Sequence, residues 1–319
     1  MNRYLFFVLI TLAFFSCKKE NSNEFIPDPT NPYNDTTWVQ TIPVAAAVNE
    51  LFQILTPPSQ TKSFDAATGA SLDFGNAVII TFSANSPATT TSGNVDVSID
   101  HINSKGDVIR FGKSTTSGDQ LLVSGGAFWI NVAQNGSSLQ MANDKTVRIK
   151  FPALERDEAM KVFYGDTSVN SREGFTWVQS EDSVMLKKNG GTGADTSYFY
   201  EMISRKFNWV NCDRFYNSSS DRTKISVILP VNFTNKNTAV FLVSTKEFLV
   251  ARFRADYEHR LFYLENVPVS ETFKIVTVSK IGNDLYLGTK DTTIIRDIIA
   301  DVSPEKKTVQ DIMDYLDAL

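Results

Sequence analysis

Across residues 62–152 apolar side chains recur at every second position, and turn signals cut the run into short segments. That period belongs to strands with one buried face. In 93–102, Val95, Val97, Ile99 and His101 take one face, and Asp96, Ser98 and Asp100 take the other. Phe128, Ile130 and Val132 alternate with Trp129 and Asn131, and Asn135-Gly136 then signals a type I′ hairpin turn. Val147, Ile149 and Phe151 alternate with Arg148 and Lys150 until Pro152 stops the strand. Val78–Phe82 reads as a short, fully buried strand.

The pattern returns at 224–289 in six segments, KISVIL, TAVFLV, FLVARF, RLFYL, FKIVTV and DLYLG. Short strands separated by turns predict an all-β chain with two antiparallel β-sandwich domains. The expected division is helix plus first sandwich at 43–152, a connecting β-rich segment at 153–223, and a second sandwich with its helix at 224–319. Within the connecting segment, a strand over 177–186 is split by Glu181-Asp182. Residues 198–215 are dense in aromatics, with Tyr198, Tyr200 and Met202 on one face and Phe199 and Ile203 on the other, so both faces predict burial. Asp213-Arg214 is read as a charge pair that fixes a turn, with a binding or catalytic role for Asp213 as the alternative. A short N-terminal helix is expected over 43–55, opened by Pro43 and stopped by Pro57-Pro58. A C-terminal capping helix is expected after Ser303 as N-cap and Pro304 as first helical residue, with Val309, Ile312, Met313 and Leu316 as its apolar stripe. It is read as a lid on the second sandwich, with a partner-docking helix as the alternative.

Two resemblances accompany this reading. DFGNAVIITFSANS, followed by GNVDVSIDHINSKGDVIRFGKSTTSGDQLLVSGGAFWINVAQNGSSLQM, resembles the β-sandwich domain shared by netrin receptors and ankyrins. That resemblance implies a domain that supports protein contacts and carries no catalytic residue. RLFYLENVPVSETFKIVTV is similar to the strand, Pro turn, strand signature of transthyretin- or carboxypeptidase-regulatory-like sandwiches, although Val269 stands where that group has Gly. WVNCDRF resembles a stretch of Gram-negative envelope lipoproteins of unknown function.

The N-terminus supplies an address. Asn2-Arg3 precedes an apolar run from Tyr4 to Phe15, and Ser16-Cys17 closes it. The run is shorter than the roughly 20 residues that span a bilayer, and reads as a secretory signal peptide over 1–16. A cysteine directly after a small residue resembles a bacterial lipoprotein box. The resemblance implies diacylglycerol on the Cys17 sulfur and a further palmitate-type acyl chain, which together anchor the chain in the outer membrane, at its periplasmic face or the cell surface. A plain cleaved signal is the alternative. Residues 17–42 then read as a polar tether carrying Pro27, Pro29 and Pro32.

Chemistry is sparse. The formal net charge is −5, or −6 once Arg3 leaves with the leader, and no Lys/Arg block exists, so nucleic acid is excluded as a partner. His101 and His259 lie far apart in sequence and neither belongs to HExxH, so no metal ligand set, cofactor or histidine-based triad is expected. GxSxG is absent. The glycine-rich loop Asn189-Gly190-Gly191-Thr192-Gly193 lacks the Lys-Ser/Thr of a phosphate loop. Cys212, amid aromatics, reads as a buried small hydrophobe. Asp35-Thr36-Thr37, Asp182-Ser183-Val184 and Asp291-Thr292-Thr293 resemble an O-glycosylation tripeptide of some envelope proteins. The expected function is a non-catalytic envelope module that contacts a protein or polysaccharide. The alternatives are a glycan hydrolase with an Asp/Glu pair in the inter-domain groove and a structural subunit of an outer-membrane complex.

Overall fold

The computed structural model describes residues 31–89, 91–154, 156–168, 174–189 and 197–319. The leader 1–16, Cys17, the tether as far as residue 30 and the glycines at 190–193 lie outside the described residues. The rest forms four mainly antiparallel sheets with few helices, an all-β sandwich architecture.

Two sheets come from the first part of the chain. Their strands are β1 (Gln60–Asp65), β2 (Ala70–Asp73), β3 (Ile79–Phe82), β4 (Asn94–Ile102), β5 (Thr116–Ser117), β6 (Gln120–Gln134) and β7 (Ser137–Ser138). There follow β8 (Val147–Pro152), β9 (Lys161–Asp166), β10 (Thr176–Gln179), β11 (Val184–Lys188), β12 (Tyr198–Ser204) and β13 (Asn208–Phe215). Sheet I runs β1-β4-β6-β13-β9-β10, with β5 and β7 paired to β6; sheet II runs β11-β12-β8-β3-β2. Val95, Val97, Ile99, Phe128, Ile130, Phe151 and Tyr200 fill the core between them.

This corrects the expected division. Residues 153–223 do not merely connect two sandwiches; they supply β9 to β13 of the first. Strand β13 lies between β6 and β9, with Trp209 opposite Trp129 and Cys212 opposite Val162. Without it β6 would present a long unpaired edge to water. The Glu181-Asp182 break carries the chain from β10 in sheet I to β11 in sheet II. Neither face of β12 is buried along its whole length, and Tyr198 is half-buried at its start. Tyr200 and Met202 enter the core, while Phe199 and Ile203 are half-buried, with the Lys150 ammonium 4.1 Å from the Phe199 ring.

The second sandwich comprises β14 (Arg222–Ile228), β15 (Thr238–Ser244), β16 (Val250–Arg252), β17 (Arg254–Asp256), β18 (Leu261–Pro268), β19 (Thr272–Ile281), β20 (Asp284–Thr293), β21 (Ile299–Asp301) and β22 (Glu305–Lys307). Sheet III runs β17-β18-β14-β21, its last pair parallel, and sheet IV runs β16-β15-β19-β20-β22. Ile225, Val240, Leu242, Phe253, Phe262 and Ile275 lie between them.

A third apolar layer separates the sandwiches. Ile102, Leu122, Phe163 and Trp177 of sheet I face Phe241, Val243, Val276, Val278 and Leu287 of sheet IV. Both faces of sheet IV are therefore buried, and every residue of β15 is buried. Three helices fill the layer: Ala47–Leu55 through Val48, Leu51 and Leu55, Lys105–Arg110 through Val108 and Ile109, and Val309–Asp317 through Ile312 and Leu316. Backbone hydrogen bonds cross it as well, from Thr115 N–H to the Val250 carbonyl (2.7 Å) and from Ser124 N–H to the Phe248 carbonyl (2.8 Å).

Both helix starts differ from expectation. The first begins at Ala47, because Pro43 makes a turn in which its carbonyl accepts from Ala46 N–H and the Asn49 amide. The C-terminal helix begins after Thr308, whose side chain and Asp311 form a reciprocal capping box. Residues Glu305–Lys307 instead extend sheet IV beside β20. That helix contributes to the layer between the sandwiches and does not lid the second alone.

The end of the expected tether is docked too. Trp38 packs into the second core, its ring 4.9 Å from that of Phe262. The Asn235 side chain clamps Val39, accepting from its N–H (3.1 Å) and donating to its carbonyl (2.6 Å). Asp35 pairs with Lys236, and the Tyr33 hydroxyl donates to Asp284. Residues 31–42 thus form a strap on the second sandwich.

Candidate functional site

A cleft of about 710 Å³ opens where three parts of the chain meet. The strap contributes Gln40, Thr41 and Ile42; the β9–β10 side of sheet I contributes Thr167, Ser168 and Gly174; the second sandwich contributes Asn235, Thr238, Arg252, Arg254 and Tyr263, among others. The volume lies in the range of small-molecule sites.

Strand period places the two arginines. Phe253 points into the second core, so Arg252 and Arg254 on either side of it point outward, toward sheet I. Arg254 pairs across the sheet with Tyr263. Its guanidinium also pairs with Asp119 (2.6 Å). The Arg252 guanidinium donates to the Gly112 carbonyl (3.0 Å) and lies 5.1 Å from the Phe52 ring, while its backbone N–H donates to Ser114 Oγ (3.1 Å). Among the described residues no carboxylate lines the cleft.

Next to Gly112 stands Lys113, held over two aromatic rings. Its Nζ is 4.1 Å from the Phe175 centroid and 4.7 Å from that of Trp209. Those rings meet Trp177 edge-on, and the Trp177 indole N–H donates to the Ser114 carbonyl (2.8 Å). Burial, together with the positive charge of Arg252, brings the Lys113 ammonium down to about 8.

A second depression, of about 500 Å³, lies on the first sandwich, lined by Tyr164, Asp166, Glu181, Asp182, Arg205 and Lys206 among others. Both Asp182 oxygens are engaged there. Oδ2 accepts from the Tyr164 hydroxyl and from Arg205 N–H, and Oδ1 pairs with the Arg205 guanidinium. Burial and the Asp182 hydrogen bond push the Tyr164 phenol up to about 12, so it stays protonated as a donor. This is a clamp between the end of β9 and the β12–β13 turn.

Of the residues singled out in the sequence, Glu181 and Asp182 line the second depression, and His101, His259, Cys212 and Asp213 line neither place. His101 stacks on Phe128 at 4.4 Å, and burial lowers its pKa to about 4 against the pull of Asp107, so it is a neutral packing group at neutral pH. His259 is exposed and bonds Asp256 within its own turn (2.8 Å). Cys212 is fully buried in the first core, and burial, with Asp213 and Asp157 nearby, raises its thiol well above the ordinary value. Asp213 and Arg214 are not a pair. They take opposite faces of β13, and Arg214 bonds Asp157 and Glu247. Asp213 is fully buried, accepting from the Asn211 amide (2.6 Å), and Asn211 in turn accepts from Ser124 Oγ (3.2 Å). Burial raises its carboxyl well above the usual range. Of the three glycosylation-like tripeptides, Ser183 is exposed, Thr36 is half-buried and Thr292 is buried. No group of three or more His, Cys, Asp or Glu is placed to hold a metal ion among the described residues.

The cleft arginines and Lys113 escaped the sequence reading. Their one signal was the Arg-x-Arg flanking of a strand phenylalanine, which is common on solvated edges. No protein-family model matches the chain, and no curated protein matches it.

Proposed function

We propose that this chain is a Gram-negative envelope lipoprotein, anchored in the outer membrane through acylated Cys17, and that it acts as a non-catalytic module binding a protein or polysaccharide. The observation that carries the binding reading is the lining of the inter-sandwich cleft. Its described walls combine guanidinium, hydroxyl, amide and aromatic groups with the aliphatic Ile42, Ala239 and Ala255, a mixture that suits recognition. A hydrolytic groove needs two facing carboxylates. The first-sandwich resemblance to netrin-receptor and ankyrin domains, whose role is protein contact, favours the same class.

The strap has a geometric consequence for an anchored chain. Asn31, where the described chain begins, stands 14 residues after Cys17, so at about 3.3–3.6 Å per residue the two lie at most about 50 Å apart. Because the strap is fixed to the second sandwich and walls the cleft, an anchored chain presents the cleft near the membrane.

Two measurements test this. Cys17→Ser, followed through envelope fractionation, is expected to release the protein from the membrane fraction; retention overturns the anchor. Purified protein incubated with envelope glycans and peptides is expected to bind without turnover. Turnover abolished by one Asp or Glu substitution that leaves the fold intact overturns the non-catalytic reading.

A further inference from the structure

We propose that the second sandwich carries a peptide receptor which the strap fills from its own chain, and that residues 31–39 exchange there with the same segment of a second copy of this chain. This exchange is independent of what the cleft binds.

Side chains hold the strap in place. Among the described residues, no backbone-to-backbone hydrogen bond joins 31–42 to the second sandwich. The attachments are the Trp38 ring beside Phe262, the Asn235 amide on Val39, Lys236 on Asp35 and the Tyr33 hydroxyl on Asp284. A cavity of about 270 Å³, lined by Pro32 and Asp35 and by Lys236, Asn237 and Ile281 among others, lies between part of the strap and the sandwich. A strand zipped into a ladder leaves only when its sheet frays. A segment held at a few side-chain points can leave while both sheets stay folded.

The receptor does not need the strap to keep its shape. The Asn237 side chain accepts from Thr234 N–H (2.9 Å) and donates to the Asn232 carbonyl (2.8 Å), and Thr238 Oγ1 donates to Ser279 Oγ (2.9 Å). The Phe233 ring meets Tyr286 edge-on at 5.2 Å. All these partners belong to the second sandwich. They fix Asn235, which is only 3% exposed, with its amide turned to the strap.

What the receptor reads is present in every copy. The Asn235 amide accepts from Val39 N–H and donates to the Val39 carbonyl, the pair of bonds that a neighbouring strand would make with an extended peptide. Phe262 receives an aromatic ring one residue earlier, and Lys236 receives a carboxylate three residues before that ring. A second copy brings Asp35, Trp38 and Val39 at that spacing, so exchange requires no new contact. The hinge is short. Gln40 and Thr41 are exposed, Ile42 stays packed in the layer between the sandwiches, and Val48 N–H ties the following helix to the Lys236 carbonyl (2.9 Å). Short hinges favour swapping over refolding in place.

The test treats the full chain with a carbodiimide, which joins a carboxylate to an amine it touches, after heavy- and light-isotope copies are mixed at high concentration. Cross-links between Asp35 and Lys236 are expected to include heavy–light hybrids. Their share should rise with protein concentration and fall at least about tenfold when a synthetic peptide of residues 31–42 is added in excess. Trp38→Ala has a damaged strap and an intact receptor, and Asn235→Ala the reverse. Mixed together, with each fold checked by thermal unfolding, they are expected to give hybrids at least about tenfold more often than the unmodified protein, because neither copy's own strap competes well. In those hybrids Asp35 comes from the Asn235→Ala copy and Lys236 from the Trp38→Ala copy. Cross-links confined to single copies at every concentration overturn the proposal, and so do hybrids that the peptide does not suppress. Should either variant fail to fold, the hybrids of the unmodified protein and their suppression by the peptide decide. Failure of exchange leaves the anchor and the binding reading of the cleft standing, since neither is measured here.

Discussion

The two cores inside the sandwiches and the layer between the sandwiches are built on different principles. The inner cores are made by strand alternation, with aliphatic and aromatic side chains interleaved and polar groups turned out. The layer between uses the other faces of sheets I and IV, and helices fill what two twisted sheets cannot. It also takes in polar groups. Asn211, Asp213 and Ser124 lie buried on the far side of sheet I from Cys212, and Arg110 reaches Asp107, Asp317 and the Met313 carbonyl. Where this layer meets solvent, it leaves the cleft that Arg252 and Arg254 line.

The largest effect expected from breaking an inner core comes from Phe128→Ala. Phe128 is fully buried and touches His101 and Phe151, so the loss is about 3–5 kcal/mol, read by denaturant unfolding. A loss below about 1 kcal/mol would show that this core is not tightly packed.

His101 gives the same core a pH signature. Its folded pKa of about 4 lies below the unfolded value near 6.5, so the unfolded chain binds more protons between them. Stability is therefore complete above pH 6.5 and falls as pH drops toward 4, by up to about 3 kcal/mol. His101→Phe should flatten the melting temperature over that window; an unchanged slope contradicts the assignment.

The layer between is probed by Gly106→Ala. A Cβ at Gly106 stands 2.0 Å from the Leu316 carbonyl oxygen, so the short helix and the C-terminal helix must separate. The expected cost is about 1–3 kcal/mol, with hydrogen exchange rising first in Val309–Asp317. Asp213 sharpens the contrast, because its sign is opposite to that of His101. Its raised folded pKa means that stability is lost as pH rises above about 4, so Asp213→Asn should gain melting temperature over wild type as pH goes from 4 to 8. The smallest effect belongs to the surface. Arg296 and Asp221 are mostly exposed, and Arg296→Gln should change stability by less than about 1 kcal/mol.

How much of this was legible follows from the range of each interaction. Alternation at Val95, Val97 and Ile99, or at the segments of the second sandwich, is local and gave the strands directly. The membership of β13 in sheet I was not legible, because its partners lie some 80 residues before it at Trp129 and some 50 before it at Val162. The Pro304 start of the last helix failed for a related reason: pairing of Glu305–Lys307 with β20 outweighed a good local helix signal. Trp38 in a polar stretch was the one overt sign that the tether's end is docked. The cleft joins Gln40, Thr167 and Arg252, residues that no local period relates.

Differential scanning calorimetry of the full chain tests most directly whether the layer between the sandwiches welds them into one body. The welded molecule unfolds in a single transition with equal calorimetric and van't Hoff enthalpies, and Gly106→Ala moves the whole peak down. Two resolved transitions, only one of them shifted by that substitution, would mean that the sandwiches merely touch and that the cleft between them has no fixed walls.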